Sequence, residues 1–195
     1  MSVEPLTAPA IRAVIGLTGK LPAHGDFVRR GDGPATARYD RWLAAALADA
    51  ATSDREALMR NMAALPAWRF VAADDGSDVV AGALVASHDK VGRIYPLIGL
   101  AILPGAAHAQ AEAWAAQAAA VLTAARDAGD TADALAAALS ALPVGPDRDP
   151  APPHTCWWRE LDAIRLDGPA TALPTGDGFA RLLHDDDLEQ GNSPT

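Results

Sequence analysis

A short polar loop near the N-terminus carries residue types that could do acid–base or anion-binding chemistry. Lys20, His24 and Asp26 follow an apolar run at 14–17 that is typical of a strand. The order of strand, glycine and lysine is that of a phosphate-binding loop. The glycines at 16 and 19 are too close for a Walker A loop, however, and a leucine stands where a magnesium-binding Ser or Thr is needed. Adjacent turn positions also supply no substrate within reach of a His–Asp pair. We interpret the segment as a conformationally defined surface loop in which Gly25 can adopt positive φ.

A second segment contains the letters of a catalytic triad, Ser87-His88-Asp89. Neighbouring residues of an extended chain point to opposite faces, whereas triad members converge from distant positions. Asp89 is better explained as a turn-forming residue or as a partner for Arg93. Gly92 is placed for positive φ in the same polar turn, which leads into Tyr95.

Two arginines flank predicted strands, Arg69 between Trp68 and Phe70, and Arg93 before Tyr95. An arginine at a strand end usually pairs with a carboxylate, for which Asp26 and Asp89 are the candidates. Such pairs either pin the loops together or line a groove for an acidic segment of a partner. We favour pinning, because a half-buried arginine must be paired in either case.

The adjacent tryptophans Trp157 and Trp158 must point to opposite faces of a strand. An exposed ring would indicate an interface, whereas a covering helix would make both rings part of the core. The neighbouring Cys156 is the only cysteine, which excludes an internal disulfide and, on this reasoning, a cysteine-based zinc site. No cofactor is implied, since the other histidines show no ligand spacing: His108, His154 and His184.

The composition limits the possible partners and the organisation of the chain. A net charge of −9 and a pI near 4.8 over 195 residues argue against binding nucleic acid or anionic lipid. The apolar run at 95–103 is shorter than the ~20 residues of a membrane helix, and residues 1–10 lack the features of a signal peptide. We expect a cytoplasmic protein with a disordered leader at 1–10, one domain at 11–184 and a disordered acidic tail at 185–195. A Pro-rich linker is predicted at 143–153.

The hydrophobic periodicity predicts an α+β fold with a largely antiparallel central sheet packed with helices. Five helices are predicted. The first covers 34–50, and the second starts at Ser53, which forms a capping box with Glu56. The third covers 106–128 and ends at Gly129, the fourth is capped by Asp130 or Thr131, and the fifth covers 178–184. The predicted strands cover a hairpin at 68–72 and 79–86, a central strand at 94–103 covered on both faces, and a pair at 155–159 and 163–166.

Four stretches together resemble the TagF family, accessory proteins of bacterial type VI secretion. They are the segment Gly19-Lys20-Leu21-Pro22-Ala23-His24-Gly25-Asp26-Phe27-Val28, the triplet Trp68-Arg69-Phe70, the pattern Ser87-x-Asp89-x-Val91-Gly92-Arg93-x-Tyr95-Pro96-Leu97, and Trp157-Trp158 with Leu173-Pro174 and Phe179-x-Arg181-Leu182-Leu183. His24 and Cys156 depart from the usual family pattern.

The resemblance implies a non-enzymatic cytoplasmic regulator with an antiparallel, longin-like fold. Such a protein would repress the secretion machine after translation by binding its forkhead-associated scaffold protein, within the threonine-phosphorylation pathway. The surface expected to do so comprises the following motif residues: Lys20, His24, Asp26, Arg69, Asp89, Arg93, Tyr95, Trp157 and Trp158. The alternative is a sensor domain that binds a nucleotide or phosphate at the same polar cluster; an enzyme ranks third.

Overall fold

A seven-stranded antiparallel sheet forms the centre of the molecule in the computed structural model, which describes residues 12–31, 33–73, 78–145 and 152–183. The strand order is β2-β1-β5-β4-β3-β6-β7, and every neighbouring pair is antiparallel. The predicted α+β class is therefore confirmed. The strands are β1 (Val14–Gly19), β2 (Val28–Gly31), β3 (Trp68–Ala73), β4 (Asp78–Val85), β5 (Leu97–Pro104), β6 (Cys156–Leu161) and β7 (Ile164–Asp167).

Helices cover both faces of the sheet and produce two layers of hydrophobic core. One layer contains the apolar residues of α3 and α4, and the other contains those of α1, α2 and α5. The helices of the described part are α1 (Gly33–Ser53), α2 (Arg55–Ala63), α3 (His108–Ala128), α4 (Ala132–Ser140) and α5 (Asp177–Leu183). None of these helices is long and apolar enough to cross a membrane.

The apolar run of strand β5 is continuous because both of its faces are buried. Leu97 and Ala101 belong to the α3/α4 layer, whereas Ile98 and Leu100 belong to the opposite layer, so both faces are covered as predicted. Gly99 brings α3 close, because a Cβ there would lie 3.0 Å from the side chain of Leu122. The alanine-rich face of α3 is a consequence of the same close packing between helix and sheet.

The C-terminal segment is fixed to the α1/α2 face by buried indole groups. Trp42 Nε1 donates to the carbonyl of Pro174 at 2.8 Å, and Trp68 Nε1 donates to the carbonyl of Leu182 at 2.9 Å. Phe179 of α5 packs edge-on against Trp42, with ring centroids 5.9 Å apart. The three aromatic side chains Trp42, Trp68 and Phe179 are thus buried together on this face.

The structure corrects the predicted boundary between the first two helices and confirms two predicted helix ends. Helix α1 extends to Ser53, so α2 is capped by Asp54, whose side chain accepts from the Ala57 amide at 2.9 Å. Gly129 ends α3 in the left-handed conformation and Thr131 caps α4, both as predicted. The leader at 1–10, the turn at 74–77, most of the 143–153 linker and the tail at 185–195 lie outside the described residues.

Candidate functional site

Asp89 is the centre of the polar cluster that the sequence singled out. It lies in the turn between β4 and β5, and its side chain is completely buried. The carboxylate accepts from Lys20 Nζ at 3.0 Å and from Arg93 Nε at 2.6 Å. It also accepts from the backbone amides of Val91 at 3.1 Å and Arg93 at 2.9 Å. The predicted roles of Asp89, turn former and partner of Arg93, are both present, and Lys20 adds a second cation.

These contacts fix the charge of Asp89. Burial acts to raise the pKa of its carboxyl, but the hydrogen bonds from Lys20, Arg93 and the Val91 amide outweigh burial and hold the pKa well below its usual range. The carboxylate therefore stays ionised at neutral pH. A general base needs a pKa near the working pH and an accessible oxygen, and this carboxylate has neither. Its role is to hold the turn in one conformation, and we call its four contacts, with Lys20, the Arg93 side chain and two backbone amides, the Asp89 brace.

The N-terminal loop and the Asp89 turn are bonded into one unit, which we call the paired loops (residues 20–27 and 86–95). Ser87 Oγ donates to the carbonyl of Lys20 at 2.7 Å, and the Lys90 amide donates to the carbonyl of His24 at 2.8 Å. Arg93 Nη2 donates to the carbonyl of Gly25 at 2.6 Å. The residues meet across 66 to 69 positions of sequence, so each loop holds the other in place.

His24 joins the paired loops to helix α4. Its Nε2 accepts from the amide of Ala132 at 2.9 Å, and Ala132 is the first residue of the helix. An amide at a helix start has no partner within the helix, so the imidazole satisfies one of these groups. With Nε2 accepting, the proton of the neutral ring is on Nδ1.

The exposed part of the paired loops is a short ridge. Val91 is 70 % exposed, and the side chain of Arg93 is 62 % exposed although its Nε is bound to Asp89. Lys90 and Asp26 are exposed beside them, and Asp26 forms no ion pair with the residues that the structure describes. We call Asp26, Lys90, Val91 and Arg93 the contact ridge. The sequence analysis overlooked Lys90 and Val91; the signal available was one large apolar residue in an otherwise polar turn.

An open groove of about 790 Å³ lies beside the contact ridge. Its walls come from the paired loops and from the C-terminal end of α3, where Arg126 Nη1 donates to the carbonyl of Ala86 at 3.0 Å. The residues that line the groove include Pro22, Ala86, Ser87, His88, Ile94 and Arg126.

Tyr95 lies at the base of the paired loops. Its ring packs edge-on against Phe27 at 5.1 Å, and the guanidinium of Arg29 lies 4.9 Å over the Phe27 ring. Burial and the charge of Asp40 raise the pKa of Tyr95 to about 12, against the opposing effect of Arg29. Tyr95 is therefore a neutral packing residue of the loops.

Arg69 is not part of this cluster. It lies on β3 opposite Trp158, and its Nη2 binds Glu160 Oε2 at 3.1 Å. The predicted pairing of Arg69 with Asp26 or Asp89 was therefore wrong, because β3 is separated from the paired loops by β4.

Trp157 and Trp158 lie on opposite faces of β6 as predicted, and both are buried. Trp157 stacks on Phe70 with centroids 4.6 Å apart, and Trp158 lies under the guanidinium of Arg165 at 4.7 Å. The core interpretation of the pair therefore holds. Neither ring offers an exposed anchor for a partner.

A second polar cluster brings together residues that the sequence analysis had set aside as showing no ligand spacing. One nitrogen each of His108 and His154 and the sulfur of Cys156 all lie within 4.8 Å of one another. The exclusion of a cysteine-based metal site from a single cysteine was thus too strict, since histidines from other segments can supply the remaining ligands. Burial lowers the pKa of His108 and raises the pKa of Cys156.

The comparisons with known proteins show the family of the chain. Residues 16–142, more than half of the chain, match the model of the TagF N-terminal domain, which is associated with the type VI secretion system. The chain belongs to the TagF family. The match contains every residue of the paired loops, including the contact ridge, and it ends before β6.

A solved structure supports the same assignment. The chain is similar to the crystal structure of PA0076 from Pseudomonas aeruginosa PAO1, with a TM-score of 0.58 and 26 % sequence identity. The similarity covers 81 % of this chain and 72 % of the other. The comparison with curated proteins finds no significant match.

Proposed function

We propose that this chain is a non-enzymatic, cytoplasmic repressor of the type VI secretion system that acts after translation by binding the forkhead-associated scaffold protein. The contact ridge is the surface that we assign to this interaction. The proposal rests on one observation: the completely buried carboxylate of Asp89 holds the exposed turn around Val91 and Arg93 in a fixed conformation.

The bracing is extensive for a surface turn. Asp89 is used entirely inside the protein: its four donors are Lys20, the Arg93 side chain and two amides of its own turn. A turn held in this way loses little conformational entropy when a partner docks, and preorganisation of this kind increases affinity. The exposed groups that the brace presents are Val91 and the outer face of Arg93.

The chemistry of the contact ridge favours a protein partner with an acidic segment. Val91 supplies an apolar anchor, and Lys90 and Arg93 supply cations around it. Exposed cations are significant on a chain with a net charge of −9, because they produce a local field opposite to that of the whole molecule. A few anchors of this type carry most of the energy of an interface.

The test is binding of the purified chain to the forkhead-associated scaffold, measured by biolayer interferometry. We expect Val91→Glu and Lys90→Glu each to weaken binding at least about tenfold, as loss of an interface anchor does. Neither side chain takes part in the Asp89 brace, so the thermal melts should be unchanged. Arg93→Ala and Asp26→Ala extend the map, with folding checked because Arg93 also contacts Asp89.

Ile164→Glu is the matched control. Ile164 is an exposed aliphatic residue at 63 %, but it begins the edge strand β7, at the opposite end of the strand order from β1. Binding that is unchanged in all contact-ridge variants, or reduced equally by Ile164→Glu, would contradict the assignment of the surface. Failure of the unchanged chain to bind would contradict the choice of partner.

The groove beside the ridge favours a second candidate function, a sensor of a nucleotide or phosphate. Its volume suits a small ligand, and Arg126 with Ser87 and His88 offers polar groups at its wall. A ligand of this kind should raise the melting temperature with increasing saturation. Thermal scans with ATP, GTP and inorganic phosphate separate the two candidates, since a pure interaction domain shows no shift with any of them.

A further inference from the structure

Three potential metal ligands converge where the C-terminal part of the chain meets helix α3. His108 is the first residue of α3, Cys156 is the first residue of β6, and His154 lies just before it. Cys156 Sγ is 4.0 Å from His108 Nε2, and the two imidazole rings stack with centroids 3.8 Å apart.

We propose that His108, His154 and Cys156 form a binding site for one zinc-class divalent ion. One thiolate and two imidazoles are a donor set that zinc uses in proteins, and a tetrahedral site with three protein ligands leaves the fourth position to water. Zinc ligands at their usual bond lengths lie about 3.3 to 3.6 Å apart. The atoms here already lie within 4.8 Å, so the widest separation must shorten by about 1.2 to 1.5 Å, and one of the two stacked rings must turn so that both nitrogens point at the ion.

The charges around the cluster suit a divalent cation. Glu112 Oε1 lies 3.4 Å from His108 Nε2, one helical turn along α3, and it also accepts from Arg165 Nη1 at 2.7 Å. Arg165 is in turn bound to Asp167 at 2.8 Å. A zinc ion with the Cys156 thiolate carries one net positive charge, which the adjacent Glu112 carboxylate offsets. Glu112 contacts the same nitrogen of His108 that would bind the ion, so it would contribute negative charge beside the site rather than orient the ring.

Existing contacts of His108 must change when the ion binds, among them the contact of its Nε2 with Glu112 and its stacking on His154. The His154 amide donates to His108 Nδ1 at 3.4 Å, but a ring bound to zinc through Nε2 carries its proton on Nδ1. A hydrogen bond of that length is weak, so its loss opposes binding only slightly. We expect the segment around His154 to shift when the metal is bound, while α3 stays in place.

The site would connect two parts of the chain that the family match separates. His108 lies within the matched residues 16–142, whereas His154 and Cys156 lie beyond them. A bound ion would therefore link the start of β6 to the start of α3. It would thereby stabilise the strand that carries the buried Trp157–Trp158 pair. This role is independent of the contact ridge.

The experiment uses protein without a polyhistidine tag, titrated with Zn²⁺ in competition with a chromophoric chelator and, in parallel, with Co²⁺ as a spectroscopic substitute. We expect one ion per chain, a thiolate-to-cobalt charge-transfer band and the visible bands of tetrahedral Co²⁺. At free zinc about 100 times Kd, the ratio of folded to unfolded protein should rise about a hundredfold.

Cys156→Ser and His154→Ala should each weaken zinc binding at least about tenfold, and Cys156→Ser should abolish the charge-transfer band. Both variants should melt like the unchanged chain when metal is absent, since serine is nearly isosteric and His154 is exposed. The control is His88→Ala, which removes an exposed histidine outside the cluster and should leave zinc affinity unchanged. Absence of binding, or equal affinity in the ligand and control variants, would overturn the proposal.

Discussion

Gly19→Ala tests whether the paired loops depend on one backbone position at the end of β1. Gly19 has φ +133°, a conformation that residues with a Cβ rarely adopt. A Cβ at this position would also collide with the Pro96 carbonyl oxygen and lie 2.8 Å from Leu97 Cα. These atoms are backbone, so no rotation of a side chain can relieve the collision.

The expected loss of stability follows from two contributions. Forcing a non-glycine residue into this region of φ costs about 1 to 3 kcal/mol. Overpacking against a fixed neighbour costs about another 1 to 3 kcal/mol. The free energy of unfolding should therefore fall by about 2 to 6 kcal/mol, which corresponds to a decrease in Tm of about 4 to 24 °C for a chain of this size.

Gly25→Ala in the same loop is the control. Gly25 is not among the positive-φ residues, contrary to our expectation, and a Cβ there meets no atom within 4 Å. Its substitution should change stability by no more than about 0.5 to 1 kcal/mol. Urea unfolding followed by tryptophan fluorescence measures both variants, because Trp114 and Trp157 are completely buried. Equal stabilities of Gly19→Ala and Gly25→Ala would refute the reasoning.

Two further predictions concern the brace and the β6–β7 turn. Asp89→Asn should destabilise the chain at pH 7, and the difference from the unchanged chain should shrink as pH falls below about 4. A carboxyl with a depressed folded pKa stabilises fully above its unfolded pKa and loses that contribution as pH falls toward the folded pKa. A difference that urea unfolding finds constant between pH 7 and about 3 would contradict this. Ala163→Gly should raise the stability by about 1 kcal/mol, since Asp162 and Ala163 both have positive φ in a two-residue turn that favours glycine. A thermal melt at or below that of the unchanged chain would show that the turn is not strained.

Local signals explain which parts of the fold the sequence predicted. The stop of α3 at Gly129, the cap at Thr131 and the hairpin of β3 and β4 each depend on residues within one turn or one strand pair. The continuous apolar run of β5 is also a local signal, and it identified a strand that is buried on both faces.

Strand β2 was missed because it carries almost no hydrophobic pattern. Only Val28 of its four residues is buried, and the strand is an edge strand paired with β1 alone. Its end is specified by Gly31, where φ is +86° and the backbone approaches Ile15 so closely that a Cβ would not fit. A close backbone approach of this type depends on tertiary pairing, which composition and periodicity do not encode.

The candidate site was predicted in part. The pairing of Asp89 with Arg93 spans four residues and follows from turn chemistry, but the arrival of Lys20 depends on the register of β1 against β5. Arg69 has the same residue type and similar aromatic neighbours as Arg93, yet it pairs with Glu160 on another strand. Residue type alone therefore indicates that an arginine is paired, and the strand order decides with which carboxylate.

The two proposed sites can be tested separately because helix α3 holds them apart. The ligand His108 begins the helix, and Arg126, which lines the groove beside the contact ridge, lies near its other end. Eighteen residues of α-helix correspond to about 27 Å, far beyond the about 7 to 10 Å within which substitutions usually couple. A Cys156→Ser change should therefore leave scaffold binding intact, and Val91→Glu should leave zinc binding intact. If either substitution affects both activities, the coupling must pass through the folding of the whole sheet, and the melting temperature of that variant must fall with them.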